Sequence, residues 1–134
     1  MNPETFRKPR EGDQAPPVPN DRPASWDLVV TRLENKSLSR PSGRSEADID
    51  WLVFMMRARD DLGAKRYGVR LQSHNGRDSM RDSLEEALDL RVYLENVSQE
   101  HPESTEARML ADEVTDLCLR LVALRRKLTQ KGGD

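Results

Sequence analysis

The segment Asn75 to Asn96, read from His74 as HNGRDSMRDSLEEALDLRVYLEN, does most to limit the folds open to this chain. Asn75-Gly76 is a turn signal, because both residue types tolerate positive φ. Asp78 or Ser79 then follows as the N-cap of a helix. At about 100° per residue, Asp82, Glu85, Glu86 and Asp89 fall within an arc of roughly 100° on that helix. Met80, Leu84, Ala87, Leu88 and Leu94 lie mostly on the other side. Acids spaced i,i+4 repel, so the stripe calls for solvent, basic neighbours or a divalent cation to offset it.

The same helical period recurs elsewhere, so the expected fold is all-α: an antiparallel bundle built on a two-helix hairpin. Aromatic residues at 4% and charged residues at 34% suit that class better than a β-sandwich. With 134 residues, of which 35% are hydrophobic, the chain supports one small domain. Residues 1–24 are proline-rich and read as a flexible N-terminal arm, either a tail or a strap across a partner. Residues 25–131 form the helical domain, with helices expected at about 25–36, 45–62, 79–97 and 104–128.

Ser25 and Ser45 are the expected caps of the first two helices, with Asp48 at the capping-box position of the second. Between them, residues 36–44 form a polar linker broken by Pro41 and Gly43. On the second helix Ile49, Leu52, Val53, Met56 and Leu62 make one face. Trp51, Phe54 and Met55 make it apolar on more than one side, which implies burial between layers or at a homo-oligomer interface. Gly68 ends this helix or the turn after it, and residues 69–77 form a loop. On the last helix Leu110, Val114, Leu117, Leu121 and Leu124 form the stripe expected to pack inward. Gly132-Gly133 releases the chain.

A net charge of −2 gives no global attraction to nucleic acid. The basic end from Arg120 to Lys131 leaves a small nucleic-acid-binding role as an outside reading, and helix-dipole complementarity explains it more simply. The single cysteine, Cys118, excludes an internal disulfide and is expected to be a packed thiol. The longest apolar run, WLVFMM, is far short of a membrane span of about 20 residues. With no apolar signal region at its start, the chain is expected to be soluble and cytoplasmic.

Two acidic motifs carry the candidate chemistry. Glu85, Glu86 and Asp89 lie on one helix, and Glu113 and Asp116 lie one turn apart on the next. Mg²⁺ and Mn²⁺ take oxygen ligands in octahedral geometry, and Mg²⁺ is commonly shared between carboxylates and substrate phosphates. One E-x-x-D is common in a charged helix, whereas two on consecutive helices are moderately specific.

At these residues the chain resembles the MazG-like, all-α nucleoside triphosphate pyrophosphohydrolases, whose pattern is E-E-x-x-E followed by E-x-x-D. Glu85-Glu86-Ala87-Leu88-Asp89 and Glu113-Val114-Thr115-Asp116 occupy those motifs, with Asp89 one methylene shorter than the usual glutamate. The string KRYGVRLQSHNGRDSMRDSLEEALDLRVYL looks especially like the small bacteriophage-type members. The resemblance covers about residues 57–97 well and 105–125 loosely. It implies Mg²⁺-dependent hydrolysis of an NTP or dNTP to monophosphate and pyrophosphate, in dimers or tetramers. Glu85, Glu86, Asp89, Glu113 and Asp116 would be the metal set, and Glu85 and Glu86 the catalytic pair.

The loop before the acidic helix offers substrate contacts. Lys65, Arg70 and Arg77 are cations suited to phosphates, Asn75 to a base edge and Tyr67 to stacking. Each has a plainer alternative: Tyr67 at the edge of a core, Arg77 paired with Asp78 or Asp82, and His74 in a solvated loop. The alternative function, from a different class, is a non-catalytic oligomeric helical module that binds a nucleotide or a protein.

Overall fold

A computed structural model describes residues 14–35 and 43–131. It is all-α, with four helices and no strand among the described residues: α1 Ser25–Glu34, α2 Glu46–Tyr67, α3 Ser79–Glu100 and α4 Thr105–Lys131. They pack as two hairpins, α1 with α2 and α3 with α4. The contacts divide the chain into two compact units, with the break between Arg77 and Asp78. The first thirteen residues of the expected arm, the linker over 36–42 and the Gly132-Gly133 end lie outside the described residues.

Helix boundaries follow their caps. Ser45 accepts a hydrogen bond from the Asp48 N–H, and Asp78 accepts one from the Arg81 N–H at 3.0 Å. Ser104 Oγ does the same for the Ala107 N–H at 3.1 Å. Ser25 is not a cap. Ala24 occupies that position without a side-chain bond, and the Ser25 N–H donates to the Leu71 carbonyl at 2.8 Å. α2 runs five residues past the expected end at 62, because Gly63 is accommodated within it. It stops at Gly68, whose φ of 76° is one an L side chain adopts only with strain.

In the first unit, the described part of the proline-rich segment is docked. The Val18 N–H donates to the Asn75 carbonyl at 2.9 Å, and Ala24 forms an isolated antiparallel bridge with Gln72. Gln72 closes the pairing from both ends of its amide. Its Oε1 accepts from the Asn20 N–H at 3.1 Å, and its Nε2 donates to the Asn20 and Arg22 carbonyls at 2.9 and 2.6 Å. Prolines lack a donor and favour extended backbone, which suits a strap bonded through the residues between them.

The described apolar core is thin. Val30, Ile49, Leu84, Ala87, Ala107 and Ala111 are buried, and three of these six are alanines. On α4 the buried side is set by Ala107 and Ala111, while Leu110, Leu117 and Leu124 of the stripe expected to pack inward are exposed. Alanine lets a neighbouring helix approach closely, and bulkier leucines on the adjacent arc stay outside. α2 shows a similar division. Ile49 is buried and Val53 and Met56 half-buried, whereas Leu62, assigned to that face from the sequence, is 56% exposed.

Candidate functional site

The acidic residues lie in the unit beginning at Asp78, on the α3/α4 hairpin. Arg91 Nε donates to Thr115 Oγ1 at 2.7 Å, and Arg108 Nη1 to Glu95 Oε2 at 3.3 Å. Those bonds bring Arg91 level with Thr115. In antiparallel helices Asp89, two residues earlier, is then level with about Leu117, next to Asp116 in sequence. Level is not direction. At about 100° per residue Asp116 sits roughly 140° round α4 from buried Ala111, and Asp89 roughly 140° round α3 from buried Leu84.

Burial separates the members of the set. Glu85 is 5% exposed and accepts a hydrogen bond from Arg81 Nε at 3.0 Å, an i,i+4 ion pair. That pairing supplies the cation its buried carboxylate needs. Glu86 is exposed and Asp89 half-buried, each with a partner of its own. Glu113 and Asp116 are exposed. Glu113 lines a depression on α4 with Thr105, Glu106, Met109 and Leu110. Its volume of about 180 Å³ is below the roughly 300 Å³ at which small-molecule pockets begin.

Among the described residues, no three His, Cys, Asp or Glu side chains come together where they could hold a metal ion. A Mg²⁺ ion needs oxygens converging on one point. Glu85, Glu86, Asp89, Glu113 and Asp116 therefore do not supply three protein ligands to one point, and a Mg²⁺ ion held by one or two of them would complete its shell with water or phosphate oxygens.

The five expected substrate contacts all lie in the unit that ends at Arg77. Lys65 is exposed in the last turn of α2. Tyr67 is 57% exposed, with the Arg66 guanidinium 5.4 Å from its ring centroid. Asn75 is buried, and its Oδ1 accepts from the Arg77 N–H at 3.0 Å, closing an Asx turn. Positive φ in this loop falls on Gly76 at 85° and on His74 at 56° rather than on Asn75. Arg77 Nη1 donates to the Ala15 carbonyl at 3.4 Å.

Arg70 is the most committed of the five. Its Nε donates to both Asp60 oxygens at 3.2 Å and its Nη2 to Asp60 Oδ2 at 2.6 Å. Nη1 and Nη2 also donate to Asp27 at 3.1 and 2.8 Å, and Arg57 Nη1 donates to the same carboxylate at 2.6 Å. The clasp thus joins α1, α2 and the loop after α2. Hydrogen bonds from Arg70 and then Arg57 hold the Asp27 carboxyl down from 3.8 to about 2. Asp60 and Asp27, in that order, push the Arg70 guanidinium above its already high value.

Sequence reasoning missed this clasp, although one signal was present. Asp60 falls four residues after Met56 and seven after Val53, so a carboxylate sits on the packed face of α2, where it needs a cation. No helix among the described residues is long and apolar enough to cross a membrane. No protein-family model, curated protein or solved structure matches the chain.

Proposed function

We propose that this protein is a nucleoside triphosphate pyrophosphohydrolase, releasing monophosphate and pyrophosphate from an NTP or dNTP. The observation that carries the proposal is that E-E-x-x-D on α3 and E-x-x-D on α4 occupy the two helices of one packed hairpin. The reaction needs a divalent cation, Mg²⁺ or Mn²⁺, that would join the carboxylates to the triphosphate, and a base to deprotonate the attacking water. Exposed Glu86 is the base candidate, since buried Glu85 is tied to Arg81. One or two of these carboxylates, with waters and the phosphates of the substrate, would complete the octahedral shell of a Mg²⁺ ion.

The competing reading is a non-catalytic, oligomeric module that binds a nucleotide or a protein. It is favoured by the Arg81–Glu85 pair and by the apolar side chains left exposed on every helix. Pyrophosphate release from a panel of dNTPs, with and without Mg²⁺ or Mn²⁺, separates the two. Under the enzymatic reading, Glu86→Gln lowers turnover by about 10²-fold or more while the fold is retained. Nucleotide-dependent stabilisation with no product would establish the binding module instead.

A further inference from the structure

α2 has two faces. One carries buried Ile49 and Asp60 with half-buried Val53 and Met56. On the other, Trp51, Phe54, Met55, Ala58 and Leu62 fall within an arc of about 100°. Trp51 is 61% exposed, Phe54 63%, Met55 42% and Leu62 56%. The Trp51 and Phe54 rings stack at 5.4 Å, only 16° from parallel, forming a flat aromatic surface. An exposed tryptophan and phenylalanine side by side are the residue types that anchor protein interfaces.

The spacing along this face suggests its occupant. Asp48, Trp51, Met55, Ala58, Leu62 and Lys65 follow one another at alternating intervals of three and four residues. That is the seam of a two-helix coiled coil, with an acid at one end and a base at the other. A parallel partner would set Asp48 against Asp48 and Lys65 against Lys65. An antiparallel partner sets Asp48 against the partner's Lys65 at both ends. It also sets Trp51 against the partner's Leu62 and the bulky Met55 against the partner's small Ala58. The seam is complementary to its own reverse, both in charge and in side-chain size.

We propose that α2 pairs with α2 of a second copy of this chain, antiparallel across a two-fold axis near residues 56 and 57. Such a pairing is closed, so it produces a dimer and not a filament. It covers the aromatic surface that a single chain leaves in water. It does not depend on the hydrolytic reading, because the measurement that tests it records mass and not turnover.

The test is sedimentation equilibrium of the full chain over a dilution series. The wild type should sediment at twice the 15.3 kDa chain mass. Trp51→Ser removes an anchor exposed in the single chain, and should weaken the dimer about 30-fold or more while the helical circular dichroism is kept. Asp48→Lys and Lys65→Asp should each weaken it about 3- to 10-fold, and the double variant should recover wild-type affinity. Recovery is specific to the antiparallel register, since a parallel pair keeps like charges opposed in the double variant. A wild type that stays monomeric throughout the dilution series would leave the face to some other partner and overturn the proposal. So would a Trp51→Ser dimer of unchanged affinity, or a charge-swapped pair that fails to recover.

Discussion

The two units hold themselves together by different means. In the unit ending at Arg77, distant parts of the chain are joined by polar groups: the Asp27–Arg57–Asp60–Arg70 clasp and the strap bonded to residues 71–77. In the unit beginning at Asp78, two consecutive helices pack along a seam of Leu84, Ala87, Ala107 and Ala111, with Arg91 and Arg108 tied to neighbours at its edge. Burying a charge is costly without a partner and tolerable with one, whereas burying leucine is favourable outright. The clasp is therefore the more brittle device. Losing one member harms it more than losing one side chain harms the seam.

Arg70→Ala is the sharpest way to break the contrast. It leaves Asp60 buried at 4% exposure without its forked partner, and should give the largest drop in the urea midpoint of the first unit among the variants named here. A midpoint equal to that of the wild type would show that the clasp does not hold the unit together. Leu84→Ala in the seam should cost about 2–4 kcal/mol, chiefly as a cavity. If it costs more than Arg70→Ala, the ranking of the two devices is reversed.

Asp78→Ala removes the cap of α3, and should lower stability by about 1 kcal/mol. The most gradual change is with pH. The Asp27 carboxyl is held below its unfolded value of 3.8, so the stability it lends is present above about pH 4 and is lost as pH falls toward 2. Glu95 is lowered in the same direction by Arg91, so the seam unit responds with the same sign. Glu95 and Asp27 are both half-buried, so high ionic strength should weaken the acid response of both units.

The contrast also explains what the sequence disclosed. The hairpin was legible because its information is local: a 3.6-residue period, Asp78 and Ser104 as caps, and a short connection between. The strap was not, because its pairing rests on the side-chain amides of Asn20 and Gln72 and the backbone carbonyl of Asn75, which bond across some fifty positions with no periodic signature. The α4 stripe was read inward because leucine is more apolar than alanine. Val114 and Leu121 of that stripe are half-buried, but the fully buried positions went to the small residues Ala107 and Ala111. For the candidate site, both motifs fell on the expected helices, but helical azimuth alone did not give convergence of the carboxylates. The bidentate capacity of Arg70 was recognised. Its partners, Asp27 and Asp60, were not.

The strap has a consequence for how the chain is made. During synthesis residues 14–24 leave the ribosome well before Gln72 and Asn75, to which they bond from about 50 positions away. At about 5–20 residues per second, that is a wait of roughly 3–10 s. Through that interval the extended segment has nothing to pair with, and the prolines that keep it from forming competing helix or sheet preserve it for its late-arriving mate. The order of translation thus makes the earliest part of this unit the last to find its place.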